Sequence, residues 1–335
     1  MTASRTILVA IYSRFPAWNI PPGHVAALRE QFPQHTFRHA RSHAEALEWI
    51  GTADIVFTAF LRPDVFAAAR QLTWIHSPAA GLEGLLFPDL VESPVMVTNS
   101  RGLSADTIAE HVLAVVFALF RKLPVALEAQ RTRDWAQAAI VAETPLRTIA
   151  GARVLVVGLG AIGLATAQRF ASLGAWVDAV RRRPELPRPS GIDRVVPTEH
   201  LMEVLPSADI VVLAAPETAA TRHLISSREL AAMRPGSVLV NVSRGALIDE
   251  TALANALTAL PSDRTLAAAA LDVFEHEPLP PESPLWSLPN VLVTPHIAGF
   301  RPDHWDAVCA LFAENLHRFD TGQALLNVVD KGEGY

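Results

Sequence analysis

Three residues in the last third of the chain hold its chemistry. Arg244 in Asn241-Val-Ser-Arg-Gly, Glu277 in Asp272-Val-Phe-Glu-His-Glu-Pro and His296 in Thr294-Pro-His-Ile-Ala-Gly each follow a short β-branched or apolar run that reads as a strand. A guanidinium fork can hold a carboxylate and the adjacent ketone oxygen at once. An imidazole, whose ordinary pKa is about 6.5, can give a proton to a nascent alkoxide and take one from an alcohol. A neighbouring carboxylate favours the imidazolium and fixes the ring. Together they suffice to bind a 2-oxo acid and protonate its carbonyl oxygen. Taken singly, Arg244 reads equally well as a surface residue ahead of the Gly245 turn, and His296 as a satisfied structural histidine, one of twelve.

Other chemistries fit less well. Glu275, His276 and Glu277 are adjacent, so in an extended segment they point in different directions, and no HExxH pair accompanies them. Ser243 has no nucleophile-elbow context. Neither a catalytic metal nor a serine nucleophile is expected.

The elements that must position these groups can be traced by periodicity. From Thr6 to about Thr98, strand-like runs (Ile7 to Tyr12, Asp54 to Ala59, Thr73 to His76, Val95 to Thr98) alternate with helix-like stretches around Val25 to Gln31, Ala44 to Ile50 and Pro63 to Arg70. Such alternation argues for an α/β unit with a parallel sheet. A helix is expected from Ser104, with Ile108, Val112, Val115, Val116, Leu119 and Phe120 at helical spacing and a stop at Leu123-Pro124. Residues 121 to 150 lack clear periodicity and read as a loop or arm. A second α/β series has strands expected at Arg153 to Val157, Trp176 to Val180, Ile210 to Ala214, Val238 to Val242, Leu266 to Leu271 and Val291 to Thr294. His304 to Phe319 reads as a helix that returns to the first domain.

Gly158-Leu159-Gly160-Ala161-Ile162-Gly163 follows the first strand of that second series and opens a helix-like Leu164 to Leu173. The glycines permit a tight turn, and a helix N-terminus offers N–H groups and partial positive charge to a pyrophosphate. In this strand-turn-helix setting the pattern points to a dinucleotide, although Gly-rich turns also serve packing alone. The next strand ends in Arg181-Arg182-Arg183, where an acidic residue would bind the ribose of NAD. Guanidinium groups there suit a 2′-phosphate, so NADP(H) is favoured over NAD(H). A solvated basic loop is the bland alternative, and Asp178 is the acid if the register differs by a few residues.

At 335 residues, half of them hydrophobic, the chain exceeds the usual size of a single core, so two domains are expected. A net charge of -6 gives no global attraction to nucleic acid. The single cysteine, Cys309, rules out intramolecular disulfides and fits a reducing compartment. The opening apolar run is short and reads as a strand rather than a signal peptide, and Val112 to Phe120 is far below the roughly 20 residues of a membrane span. A cytoplasmic protein with no membrane or nucleic-acid partner is expected.

Four motifs in order, Val157 to Gly163, Asn241 to Asp249, Leu271 to Pro278 and Thr294 to His296, make the chain resemble the D-isomer-specific 2-hydroxyacid dehydrogenases, a family that includes glyoxylate/hydroxypyruvate reductases and phosphoglycerate dehydrogenases. The likeness runs from Trp74-Ile-His-Ser-Pro-Ala-Ala-Gly81 to Leu326-Asn-Val-Val329. It implies two Rossmann-like α/β domains with parallel sheets, residues 101–298 forming an NAD(P)-binding domain inserted into a flavodoxin-like substrate domain of residues 1–100 and 299–335, with the active site in the cleft. It further implies that Arg244 orients substrate, Glu277 tunes the histidine and His296 is the general acid/base. Backbone N–H groups near Ala80 and Gly81 would hold the substrate carboxylate. Ala215, Pro216, Val242 and Ser243 would line the cofactor, and Asp272 would receive the nicotinamide carboxamide. A homodimer on the Ser104 to Arg121 helix and the following arm is implied, with Trp135 reaching the partner's site. Phe60-Leu61-Arg62, Trp135 and Trp286 are candidates to shape the pocket. Ala298 stands where many members have glycine, and Ala79-Ala80-Gly81 has a less typical setting. The competing function is a non-enzymatic dinucleotide sensor resembling the family's corepressors. A formate dehydrogenase relative is disfavoured because Glu277 stands where that resemblance implies glutamine.

Overall fold

The computed structural model describes residues 4–82, 84–143, 146–259 and 266–334. The chain divides into two compact units, Met1–Leu103 with Arg301–Tyr335, and Ser104–Phe300. Each is built on one parallel sheet.

The first unit holds β1 (Thr6–Val9), β2 (Thr36–His39), β3 (Ile55–Phe57), β4 (Trp74–Ser77) and β5 (Met96–Asn99), in the order β2-β1-β3-β4-β5. This is a flavodoxin-like order. Ile55, Val56 and Phe57 and all four residues of β4 are buried, as expected of central strands covered on both faces. The helix His304–Thr321 lies on this sheet, with the Phe312 ring stacked on Phe57 at 4.4 Å and on Trp74 at 5.5 Å.

The second unit holds β6 (Arg153–Val157), β7 (Trp176–Val180), β8 (Arg194–Val196), β9 (Ile210–Leu213), β10 (Ser237–Asn241), β11 (Leu266–Leu271) and β12 (Val291–Val293), in the order β12-β11-β10-β9-β6-β7-β8. Strand order reverses between β6 and β9, and ligands of such sheets bind beyond the carboxyl ends of the strands at that crevice. On one face, Val112, Val116 and Phe120 of the helix Ala105–Phe120 pack with Ala167 and Phe170 of the helix Ala161–Ser172. On the other face lie Leu253 and Leu257 of the helix Glu250–Thr258, which Asp249 caps by accepting the Ala252 N–H at 2.9 Å.

The expected loop over 121 to 150 is corrected: it contains helices Leu123–Thr132 and Gln137–Glu143. Pro124 does not end the preceding helix. That helix ends at Phe120, Lys122 turns the chain in the left-handed region, and Pro124 occupies the first turn of the next helix, where its missing N–H costs nothing. Among the described residues no helix is long and apolar enough to cross a membrane.

Candidate active site

The three chemical residues sit beyond the carboxyl ends of neighbouring strands: Arg244 after β10, Glu277 after β11 and His296 after β12. Glu277 Oε2 and His296 Nδ1 are 2.6 Å apart, and Glu277 Oε1 accepts the Phe274 N–H at 3.0 Å. The hydrogen bond to Glu277 lifts the His296 pKa above its ordinary value, against burial and the Arg244 charge, which lower it. Burial pushes the Glu277 carboxyl up, but bonds from His296 and the Phe274 N–H, with the Arg244 charge, outweigh it and hold the group below the usual range. The Arg244 charge thus acts on both partners. With Nδ1 committed to Glu277, Nε2 is the nitrogen left to exchange a proton.

Local folding explains this convergence. Asn241 accepts the Ser243 N–H at 3.1 Å and donates to the Arg244 carbonyl at 2.9 Å, fixing the turn that carries Arg244. A Cβ on Gly245 would fall on the carbonyl of Phe274, so only glycine lets the Arg244 and Glu277 segments lie this close. His296 has φ +53°, a left-handed conformation uncommon for a side-chain-bearing residue. Buried Asp272 holds it there: its carbonyl accepts the His296 N–H at 2.8 Å, Oδ1 accepts the Ile297 N–H at 2.9 Å and Oδ2 the Ala298 N–H at 2.9 Å. Oδ1 also accepts the Thr294 hydroxyl at 2.6 Å. A carboxylate has about four acceptor positions, so one remains for a ligand donor such as a carboxamide.

Steric limits hold the Gly-rich segment close to the strands beside it. Gly158 has φ +97°, and a Cβ there would lie 2.6 Å from the Ala215 Cα; one on Gly163 would fall on the Gly158 carbonyl. Gly160, at the N-cap of the helix Ala161–Ser172, meets nothing within 4 Å. Its neighbours Leu159, Ala161 and Ile162 are half-buried or exposed around that open space. The first-turn N–H groups of a helix lack intrahelical acceptors, so the cradle fits a pyrophosphate. Ala215 and Pro216 follow β9 across the crevice from Gly158, whereas Val242 and Ser243 are buried after β10.

Arg181 is the first residue after β7, and its guanidinium donates to the carbonyls of Pro184, Leu186 and Pro187, tying down its own loop. Arg182 is exposed beside it. The alternative placement of the ribose acid at Asp178 is corrected: Asp178 lies within β7 opposite Leu155 and binds Arg194 of β8 at 2.6 Å. Glu275, next to His276, pairs with His223 at 2.5 Å. Among the described residues no group of three or more His, Cys, Asp or Glu is arranged to hold a metal ion.

Ala80 and Gly81 lie in the first unit, in the loop after β4, where Asn99 donates to the Ala80 carbonyl at 2.8 Å. Of the pocket candidates, Leu61 is interior, Phe60 is exposed and Arg62 donates to Asp64 at 3.2 Å. In the second unit Trp135 is 87 % exposed, and Trp286 donates its indole N–H to the Pro280 carbonyl at 3.0 Å. Sequence reading missed His111, whose Nε2 lies 3.2 Å from Thr294 Oγ1. Its only sequence signal is a polar residue on the inner face of an apolar helix.

Residues 113–298 match the model of the D-isomer specific 2-hydroxyacid dehydrogenase NAD-binding domain. A glyoxylate reductase of Korarchaeum cryptofilum is 32 % identical over 80 % of this chain and 79 % of its own. One from Thermococcus onnurineus is 30 % identical over 93 % of this chain and 94 % of its own. The crystal structure of a D-isomer specific 2-hydroxyacid dehydrogenase from Xanthobacter autotrophicus, in complex with NADPH and MES, superposes with a TM-score of 0.83 at 31 % identity, covering 99 % of this chain and 100 % of that one.

Proposed function

The chain belongs to the D-isomer-specific 2-hydroxyacid dehydrogenases, and from that membership we propose that it reduces small 2-oxo acids of the glyoxylate and hydroxypyruvate class to D-2-hydroxy acids with NADP(H). The observation that carries the reading is the 2.6 Å pair of Glu277 and His296, with the charge of Arg244 acting on both. When bound, the nicotinamide supplies the hydride that reduces C2 of the ketone. Arg244 orients the substrate carboxylate and ketone oxygen, which fixes the face that is reduced. His296 delivers its Nε2 proton to the alkoxide as negative charge develops, and Glu277 stabilises the imidazolium beforehand. The same ring, once neutral, accepts the proton in the reverse direction. The backbone at Ala80 and Gly81 belongs to the proposal as the carboxylate contact from the first unit, and Asp272 as the carboxamide acceptor.

Preference for NADP(H) is supported by the absence of an acid at the end of β7 and the presence there of Arg181 and Arg182. The Xanthobacter relative holds NADPH. Arg181 shapes the loop through its carbonyl contacts, and Arg182 beside it is exposed, so both guanidinium groups belong to the proposed 2′-phosphate site. A cytoplasmic homodimer is part of the proposal, since Phe117, Leu123, Val125, Leu127, Trp135 and Val141 are exposed apolar side chains on or between consecutive helices.

Oxidation of NADPH, and separately NADH, by the purified protein against glyoxylate, hydroxypyruvate, pyruvate, phenylpyruvate and 2-oxoisocaproate tests the reading. Turnover on the smaller acids with NADPH preferred supports it. Tight cofactor binding with no turnover on any acid would replace it with a dinucleotide sensor.

A further inference from the structure

Within the second unit, one histidine has no part in the chemistry yet is joined to it by hydrogen bonds. His111 lies on the helix Ala105–Phe120, its side chain 17 % exposed, with Nε2 3.2 Å from Thr294 Oγ1 and 3.9 Å from Asp272 Oδ1. Resting on the functional reading above, we propose that His111 is a positioning residue for the reaction, acting through Thr294 and Asp272 to hold the loop that carries His296.

Donor and acceptor roles fix the direction of this relay. An ionised carboxylate only accepts, so the Thr294 hydroxyl must donate its proton to Asp272 Oδ1 across the 2.6 Å contact. The Thr294 oxygen is then left with lone pairs only, and His111 must present Nε2–H to it. Burial lowers the His111 pKa, although the Asp272 charge raises it, which makes the neutral ring the working form. Asp272, oriented at Oδ1 by Thr294, meets the Ile297 and Ala298 N–H groups at 2.9 Å each. Those contacts hold the left-handed turn at His296, a conformation that persists only where its surroundings determine it. The helix is tied to the far end of the same loop as well, since Ser104 Oγ donates to the Gly299 carbonyl at 2.9 Å. Loss of the His111 donor leaves the Thr294 hydroxyl bonded to Asp272 but without the partner that fixes its orientation from the helix side.

The relay is tested first in the cofactor-free full-length protein by NMR of 15N-labelled histidine, with the His111 signals assigned by their loss in His111→Gln. The expected result is a neutral ring protonated on Nε2; a neutral ring with its proton on Nδ1 instead overturns the relay. Kinetics test its consequence. His111→Phe keeps an aromatic ring at the position and removes the donor, and kcat is expected to fall about three- to tenfold, the scale of one neutral hydrogen bond, with substrate KM and NADPH Kd within about twofold. His111→Gln places an amide N–H where Nε2 stood and is expected to restore most of the rate. Thr294→Val, which also removes the hydroxyl bonded to Asp272, should lose at least as much as His111→Phe, and the double variant should lose no more than Thr294→Val alone. Additive losses, or a wild-type kcat in His111→Phe, overturn the positioning role. A wild-type protein that reduces no 2-oxo acid overturns the functional reading instead, and the tautomer still decides the relay.

Discussion

Replacing Glu277 with glutamine keeps the side chain's size and its acceptor for the Phe274 N–H, 3.0 Å away, but removes the charge that faces His296 Nδ1 at 2.6 Å. With the amide oxygen held by Phe274, the new NH2 points at Nδ1, which can pair with it only as an acceptor. The neutral ring then carries its proton on Nε2, and the imidazolium has lost its counter-charge. A hydrogen bond to a charged group is worth about 1.5–3 kcal/mol. The His296 side chain is 46 % exposed, so solvent screening favours the lower end. That corresponds to about tenfold in the stability of the imidazolium. In the wild type the raised His296 pKa keeps the acid protonated above its ordinary range, and reduction declines only as pH rises through the raised value. In Glu277→Gln the decline starts at lower pH. Reduction at about pH 8 is therefore expected to fall up to about tenfold in kcat/KM, the loss narrowing toward about pH 5.5. Oxidation of the 2-hydroxy acid falls at every pH, because the base nitrogen is already protonated. Steady-state pH profiles in both directions read this out, with NADPH Kd as the control. A basic limb at the wild-type position would refute the claim that Glu277 sets the His296 pKa.

Arg244→Lys replaces a two-pronged planar contact by a point charge, and kcat/KM for 2-oxo acids should drop about 100-fold or more while NADPH Kd stays within about twofold; a change confined to the cofactor would reassign the residue. Gly158→Ala forces a side chain into φ +97° and within 2.6 Å of the Ala215 Cα. The strain should cost about 1–3 kcal/mol of stability and weaken cofactor binding, checked by denaturant melts and fluorescence titration. Arg182→Ala should raise the NADPH KM about tenfold and leave NADH nearly unchanged, since a charge-assisted phosphate contact is lost. Equal effects on both cofactors would remove Arg182 from the 2′-phosphate site.

The strands bearing Arg244, Glu277 and His296 were legible because β10, β11 and β12 are short apolar runs, β10 and β11 in the interior of a parallel sheet, where burial demands such residues. Of the four edge strands, β5 and β12 were legible and β2 and β8 were not: β2 reads Thr-Phe-Arg-His and β8 Arg-Val-Val, and neither shows an apolar run. The helices after Phe120 were hidden for a related reason: Leu123–Thr132 has no buried residue, and Pro124 reads as a stop unless Lys122 is known to turn the chain. Within the site, the Glu277 and His296 roles follow from residue type and strand position. The His111 to Thr294 contact spans 183 residues, and no local pattern encodes it. The commitment of Asp178 to Arg194 depends in the same way on the pairing of β7 with β8, which the sequence leaves open.

The central claim, that His296 is the acid/base of a 2-oxo acid reductase, is tested most directly by the single-turnover rate of NADPH oxidation in His296→Ala with glyoxylate or hydroxypyruvate, measured beside NADPH Kd. The account expects the rate to fall by about 100- to 10,000-fold, the usual contribution of a positioned proton donor, with Kd within about twofold of wild type. A near-normal rate, or a loss accounted for by weaker cofactor binding, would contradict it.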